Sequence, residues 1–133
     1  MFEIQKSATF SAAHSLRDYV GPCARNHGHN YRVEVVVRGE ALDPAEMLID
    51  FDVLDRLLAP VVARVDHRNL NEVPPFDRVN PTAEAIAAWF YRELAEPVRK
   101  ATQERGFLAS IRLWETPDAC VLYTEAAAGL PSH

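Results

Sequence analysis

The residues from Tyr31 to Arg38 alternate between apolar and polar side chains, and this pattern restricts the fold more than any other feature of the sequence. The apolar positions are Tyr31, Val33, Val35 and Val37. Successive side chains of a β-strand point to opposite faces, so residues 29–38 are predicted to form a strand with one buried face. Residues 2–11 alternate in the same way and are predicted to be its hairpin partner.

Two helices are predicted to follow this hairpin. Apolar residues recur at helical spacing over residues 52–65, with Asp52 as the N-cap. Pro60 lies within that pattern and predicts either a kink or a division into two short helices. Asn80 and Pro81 mark the start of the second helix, which should run to about Ala95 or continue to Arg105.

Two short strands, 107–115 and 119–125, are predicted to come last and to be joined by a turn. The element order ββααββ predicts an α+β fold, in which an antiparallel four-stranded sheet carries both helices on one face. Val36 is apolar on the other face, which suggests that an oligomer covers it. The 133 residues are expected to form a single domain over 1–125, with a frayed tail at 126–133.

The charge and hydropathy of the chain argue against some classes of function. The formal net charge of −5 disfavours non-specific nucleic-acid binding, because such binding needs a basic surface. No apolar run is long enough to span a membrane, and the first residues lack the pattern of a secretory signal. We therefore expect a cytoplasmic protein whose partners are neither nucleic acids nor membranes.

Three histidines are predicted to meet at one end of the hairpin. His27 and His29 are two residues apart at the start of a strand, so their side chains point to the same side, and His14 follows the partner strand. Three imidazoles without a fourth protein ligand are typical of a catalytic zinc site, which keeps one coordination position open. The alternative is a loop-to-strand junction with partly exposed histidines that bind nothing.

Cys23 lies four residues before His27 and close to Arg25. A nearby dication and guanidinium would lower the pKa of this thiol, so Cys23 could act as a base or a nucleophile. Cys23 could instead be a fourth zinc ligand, which would close the site and make the chain a zinc-binding module without catalysis. Cys120 lies within a predicted strand and is expected to be buried filler.

Further candidates are acidic residues and one isolated histidine. In Asp66-His67 the carboxylate can fix the imidazole tautomer and leave the other nitrogen free for proton transfer, but the pair can equally be a simple helix end. Glu115 closes a predicted strand, where it can accept two parallel N–H donors from a guanidine-like ring or be solvated. Glu84 lies in the first turn of the second helix, where acidic residues are favoured.

A competing pattern is the first metal motif of cupins, which Gly21, His27, His29 and Glu34 approach. Glu34 has the opposite strand parity from the two histidines unless a bulge intervenes. No glycine occurs between Gly39 and residue 106, so a second cupin motif is missing, and the two helices would interrupt a jelly roll. The cupin interpretation is therefore disfavoured.

A series of short motifs runs from Phe2 to about Glu125. They are FSAAH ending at His14, Cys23 with His27-Gly28-His29, Ile49-Asp50-Phe51, Asp66-His67-Arg68-Asn69-Leu70-Asn71, Asn80-Pro81-Thr82-Ala83-Glu84, and Trp114-Glu115-Thr116. Each motif is common alone, but their order and spacing together are specific. In these motifs the chain resembles the family of 6-pyruvoyl-tetrahydropterin synthase and 6-carboxytetrahydropterin synthase.

The resemblance implies the tunnelling fold, a ββααββ subunit that forms trimers around a barrel and a hexamer from two trimers. It implies zinc as the cofactor and a site built across subunits. The implied roles are zinc ligands for His14, His27 and His29, catalysis for Cys23, Asp66 and His67, and pterin binding for Glu115, Thr82 and Glu84. The pyruvoyl enzymes often have threonine where this chain has Ala83, so one hydroxyl contact is missing.

Two branches of the family remain open at this point. The carboxy enzyme converts 7,8-dihydroneopterin triphosphate to 6-carboxytetrahydropterin, releases acetaldehyde and triphosphate, and feeds queuosine biosynthesis. The pyruvoyl enzyme keeps the carbon chain and feeds tetrahydrobiopterin. The motifs at 66–71 and 80–84 resemble the carboxy branch more closely, so that lyase is expected. The triphosphate requires local positive charge, for which the candidates are Lys6, Arg17, Arg25 and Arg68.

Overall fold

The protein is described by a computed structural model over residues 1–125, and the tail predicted at 126–133 lies outside the described residues. The elements are β1 (Phe2–His14), β2 (His27–Gly39), α1 (Phe51–Ala63), β3 (Arg68–Asn69), α2 (Ala83–Ala101), β4 (Gly106–Thr116) and β5 (Ala119–Tyr123). Short 3-10 turns lie at Pro22–Ala24 and Leu70–Glu72. The predicted α+β fold is confirmed, with one strand more than expected.

The sheet has five strands in the order β3-β1-β2-β4-β5, where four were predicted. The four predicted strands pair antiparallel, and the hairpin of β1 and β2 pairs His14 with His27 at the end where the chain turns. The additional strand, β3, pairs parallel with Ala12 and Ala13 of β1. Two residues are too few to show an alternating pattern, so sequence periodicity cannot predict this strand.

The core lies between one face of the sheet and the two helices. The predicted inward positions of β2 are fully buried: Tyr31, Val33, Val35 and Val37. Leu54 and Leu58 of α1 belong to the same buried cluster, as do Phe90 and Leu94 of α2. Their helical spacing puts the apolar side chains of each helix on the face that packs against the sheet. The sheet therefore supplies a rigid platform for the residues at its ends.

The N-cap of the first helix lies two residues earlier than the sequence predicted. Asp50 is the N-cap of α1, and its side chain accepts the backbone N–H of Asp52 at 2.8 Å. Asp52 therefore lies in the first turn, where its charge is favourable. Pro60 lies inside one continuous helix, so the predicted division into two short helices is wrong.

The second helix begins later than predicted and continues past Ala95. Thr82 is the N-cap of α2 and accepts the Ala85 backbone N–H at 3.1 Å, whereas the side chain of Asn80 binds elsewhere. The helix passes through Pro97 and ends at residue 101. Within residues 1–125, no helix combines the length and the apolar character that crossing a membrane requires.

Within residues 1–125, both helices pack on the core side of the sheet, and no helix covers the other face. Glu34 lies on this face and is only 6% exposed, because it accepts the Trp114 Nε1–H at 2.9 Å and forms an ion pair with Arg32. The Arg32 guanidinium also lies over the Trp114 ring, 5.6 Å from its centre. Glu34 thus points away from the helix-facing side, which removes the cupin alternative. An oligomer that covers this face stays a prediction.

Candidate functional site

The turning end of the β1–β2 hairpin brings the three predicted metal ligands together. His14 ends β1 and pairs with His27, the first residue of β2, while His29 pairs with Ala12. The three imidazole rings are 4.5 to 5.1 Å apart between centres. Because the ligands lie on paired strands, the register of the hairpin sets their separation.

Glu115 of β4 is the fourth member of this cluster. Its Oε1 lies 2.9 Å from His29 Nε2 and 3.7 Å from His14 Nε2. One potential ligand atom from each of the four residues lies within 4.8 Å of the others. Trp114 pairs with Arg32, so the next residue, Glu115, lies beside the start of β2. The sequence singled out Glu115 as a ring-binding carboxylate but did not predict its contact with the histidines.

Backbone carbonyls orient two of the imidazole rings. His14 Nδ1 lies 2.7 Å from the Pro81 carbonyl oxygen, and His27 Nδ1 lies 2.6 Å from that of Arg25. A carbonyl can only accept, so each Nδ1 carries the proton and each neutral ring has its lone pair on Nε2. These two Nε2 atoms face each other at 3.0 Å. Two lone pairs at this distance repel, and a cation between them would remove the repulsion.

The environment of the cluster also favours neutral imidazoles. Burial lowers the pKa of His14 and of His29, although the nearby Glu115 carboxylate partly opposes this in both. Metal ions bind only the neutral ring, so these lowered pKa values reduce the competition from protons near neutral pH.

A buried nitrogen without a partner completes the case for a metal site. His29 Nε2 has no hydrogen-bond partner in the described part of the chain, because the nearby Glu115 oxygen is out of line for a hydrogen bond. Orphaned polar atoms are rare inside proteins and often mark a missing ion or water. Three imidazole nitrogens form a donor set that suits a catalytic zinc ion or a related transition metal, and the Glu115 carboxylate lies beside them. The residues therefore fit a metal ion.

Cys23 lies outside the four-residue cluster. It is in the 3-10 turn Pro22–Ala24, which belongs to the connection between β1 and β2, and its side chain is half-buried. Its carbonyl oxygen accepts the Leu16 backbone N–H at 2.9 Å. The fourth donor beside the histidines is thus a carboxylate, and the thiol lies on a separate loop. Cys120 is half-buried within β5 and accepts a hydrogen bond from Arg112 at 3.4 Å.

The Asp66–His67 pair is formed as predicted, just after α1. Asp66 Oδ1 lies 2.9 Å from His67 Nδ1 and accepts the Ser11 backbone N–H at 2.9 Å. The Ser11 N–H, together with the His67 contacts, lowers the pKa of Asp66 below its usual value. The His67 backbone has a φ of 59° and donates to the Ser11 carbonyl at 2.6 Å, which turns the mostly exposed ring outward.

A surface groove of about 430 Å³ lies where the end of the β1–β2 hairpin meets β3. Both His67 and His29 line it, together with Arg68 and Asn69. Thr82 caps α2 through its hydroxyl and directly follows Pro81, whose carbonyl contacts His14. Glu84 is exposed in the first turn of that helix. The structure thus brings together His14, His27, His29 and Glu115, and Glu84 is not a member of this cluster.

Comparisons with known proteins show which family the chain belongs to. The family model described as 6-pyruvoyl tetrahydropterin synthase matches residues 3–126. The 6-carboxy-5,6,7,8-tetrahydropterin synthase of Bacillus subtilis is 33% identical over 134 aligned residues, which cover 97% of this chain and 89% of that protein. A dihydroneopterin monophosphate aldolase of Pyrococcus furiosus is 36% identical over 108 residues, which cover 81% and 84% of the two chains.

Comparison of the fold with solved structures indicates the same family. The solved structure of Caenorhabditis elegans 6-pyruvoyl tetrahydropterin synthase superposes with a TM-score of 0.79 at 27% identity, covering 94% of this chain and 96% of that one. The chain therefore belongs to the 6-pyruvoyl tetrahydropterin synthase family of enzymes and has the tunnelling fold.

Proposed function

We propose that the chain is a zinc-dependent 6-carboxy-5,6,7,8-tetrahydropterin synthase. As a lyase it would convert 7,8-dihydroneopterin triphosphate and one water molecule to 6-carboxytetrahydropterin, acetaldehyde and triphosphate, a step of queuosine biosynthesis. The observation that carries this proposal is the meeting of His14, His27 and His29 in one cluster with Glu115, at atoms close enough to share a metal ion. Similarity to the Bacillus carboxy enzyme over 97% of the chain supports this branch.

His14, His27 and His29 would hold the zinc ion through their Nε2 atoms. When bound, zinc supplies a positive charge that polarises substrate oxygen atoms and stabilises negative charge on them. The Pro81 and Arg25 carbonyls hold the rings of His14 and His27 in the tautomer that this binding requires. The register of β1 and β2 keeps the ligands in place before the substrate arrives.

Cys23 and the Asp66–His67 pair would move protons on and off the carbon atoms of the substrate side chain. The Asp66 carboxylate lies against His67 Nδ1, so Nε2 of that ring is free to accept a proton. Asp66 then stabilises the imidazolium that forms. Cys23 lies on a different loop, so the two bases can approach the substrate from different directions.

Glu115 would bind the pterin ring. Its carboxylate is 26% exposed, and it can accept the ring amino group and an adjacent N–H in parallel, as it would accept a guanidinium. Because Glu115 lies against His29, this contact would bring that end of the ring next to the proposed zinc ligands. Thr82 and Glu84 are proposed as further pterin contacts through family similarity alone.

The structure narrows the choice of basic residues for the triphosphate. Lys6 forms an ion pair with Asp55 at 3.0 Å, and the Arg17 guanidinium donates to backbone carbonyls. Arg68 has no such commitment among the described residues and lines the groove beside His67. We therefore propose Arg68, with Arg25 as the second candidate, for triphosphate binding.

The groove is open at the surface of the single chain, and a second subunit would enclose it. We propose that the working enzyme is the hexamer of two trimers, in which the Asp66–His67 pair of one subunit faces the zinc of a neighbour. A cytoplasmic location is proposed on the same family grounds.

The decisive experiment is a product assay. The zinc-loaded protein is incubated without oxygen with 7,8-dihydroneopterin triphosphate, and the products are identified by mass. Acetaldehyde with 6-carboxytetrahydropterin supports the proposal, whereas a pyruvoyl product moves the chain to the other branch. Dihydroneopterin monophosphate is tested in parallel, because cleavage of that substrate alone would indicate the activity for which the Pyrococcus relative is named. If the protein binds zinc and turns over neither substrate, the alternative of a zinc-binding module without catalysis is favoured.

A further inference from the structure

One segment of the chain, Asn71–Pro81, contacts both the histidine cluster and the connection that carries Cys23. This segment lies between β3 and α2, and Phe76 anchors it, since that side chain is fully buried and packs edge-on against Trp89. At its end, the Pro81 carbonyl accepts the His14 Nδ1–H at 2.7 Å. The segment therefore already orients one metal ligand.

Two asparagine side chains of the segment bind the backbone that leaves β1. Asn71 Oδ1 accepts the Ser15 N–H at 2.8 Å, and its Nδ2 donates to the Ser15 carbonyl at 3.0 Å. Asn80 makes the same pair of bonds with Arg17, also at 2.8 and 3.0 Å. Each asparagine thus satisfies both polar groups of one backbone residue, as a neighbouring β-strand would.

Leu16, between these two anchored residues, binds the turn that carries the thiol. Its backbone N–H donates to the Cys23 carbonyl at 2.9 Å. The Arg17 guanidinium adds a third anchor to the same segment, because it donates to the Phe76 carbonyl at 2.7 Å. A continuous series of hydrogen bonds therefore runs from Asn71 and Asn80 through residues 15–17 to Cys23.

The rest of this connection offers little to hold the thiol in place. Tyr19 is 50% exposed and Val20 is 99% exposed, so the tip between the anchored residues and Cys23 has few packing contacts. Loops of this kind open easily unless side chains fix them.

We propose that Asn71 and Asn80 are positioning residues that hold Cys23 at a fixed place relative to the histidine cluster. The inference rests on the proposed function for the role of the thiol, but the hydrogen bonds that support it do not. A base or nucleophile contributes only when it lies within hydrogen-bonding reach of the reacting atom. Because one folded segment orients both His14 and the Cys23 turn, it sets the distance between metal and thiol.

Hydrogen exchange tests the positioning role without any substrate. Exchange is followed by mass spectrometry in zinc-loaded protein, with peptides from residues 15–24 compared with peptides from β4. Asn71→Ala and Asn80→Ala should each speed exchange in 15–24 by about tenfold or more, since each removes two backbone hydrogen bonds. Asn71→Asp keeps the acceptor for the Ser15 N–H and loses the donor, so an intermediate rate is expected.

Thr102→Val is the matched control. The Thr102 hydroxyl also makes side chain–backbone hydrogen bonds, to Val98 and Gly106, but it lies at the opposite end of the sheet. This variant should destabilise the chain without loosening residues 15–24. The proposal is overturned if the asparagine variants leave exchange in 15–24 unchanged, or if Thr102→Val raises it equally.

Kinetics supply the second readout. In the asparagine variants we expect kcat to fall by about tenfold or more while KM and zinc content stay near their wild-type values, because the thiol moves and the metal ligands do not. A change in KM alone, or a loss of zinc, contradicts a positioning role. If the unmodified protein turns over no pterin, the proposed function fails. In that case the positioning role is still tested by two measurements that need no substrate. These are the exchange rates and the rate at which iodoacetamide alkylates Cys23 in a Cys120→Ser background. An unchanged alkylation rate in the asparagine variants contradicts the positioning role.

Discussion

Zinc should stabilise the folded chain by an amount that thermal unfolding can measure. Without a cation, the lone pairs of His14 and His27 face each other at 3.0 Å, and His29 Nε2 has no hydrogen-bond partner among the described residues. Zinc at about one hundred times its dissociation constant would add about 2.7 kcal/mol to the free energy of unfolding. For a chain of this length, that corresponds to a rise in Tm of about 10 °C.

The assay compares metal-free and zinc-loaded protein by circular dichroism, with zinc binding followed by calorimetry. His27→Ala removes one of three nitrogen ligands, so the rise in Tm should largely disappear at the same zinc concentration. His67→Ala is the matched control, because it removes a mostly exposed imidazole that lies outside the cluster. A full rise in the His27 variant, or an equal loss in the His67 variant, would refute the assignment of the metal ligands.

Three further results are expected. The Cys23→Ala variant should keep its zinc and its fold, and its kcat should be lower by about a hundredfold or more, with Cys120→Ala as the control. Loss of zinc together with unfolding would show instead that the thiol is the fourth ligand of a structural zinc site. Glu115→Gln should raise KM for the pterin at least tenfold in steady-state assays, because an amide accepts fewer N–H donors, and an unchanged KM would contradict ring binding. In urea titrations, the free energy of unfolding of the metal-free chain should decrease as pH falls below about 6.5. Burial lowers the pKa of His14 and His29 in the folded chain, so the unfolded chain binds protons at a higher pH than the folded chain does. A free energy of unfolding that does not change with pH in this range would contradict the prediction.

The sequence predicts the strands and the histidine cluster because both depend on local pattern. Alternation identifies β1 and β2, and the spacing of His27 and His29 puts them on one face whatever the rest of the fold does. His14 then follows from the hairpin, since antiparallel pairing brings the end of one strand to the start of the next. These residues could be assigned before any tertiary contact was known.

Other features depend on contacts between distant segments, and sequence pattern does not encode them. Glu115 meets His29 because of the pairing of β4 with β2, whose register includes an irregularity after Val36. Asn80 looked like a helix cap, but its side chain binds the Arg17 backbone, and Thr82 caps the helix instead. In both cases the local sequence suggests one role for a polar side chain, and in the structure that side chain contacts a residue far away in the sequence.

The proposed metal ligands and the proposed catalytic thiol lie on different kinds of structure, and this separation has a consequence for how new activities arise on the fold. His14, His27 and His29 lie on long paired strands, whereas Cys23 lies in a connection whose tip packs against little. If Cys23 and the histidines have the proposed roles, substitutions or insertions in the connection would change which proton is moved without disturbing the metal. Libraries that randomise residues 18–22 and keep the two asparagine anchors would be a practical route to altered reactions.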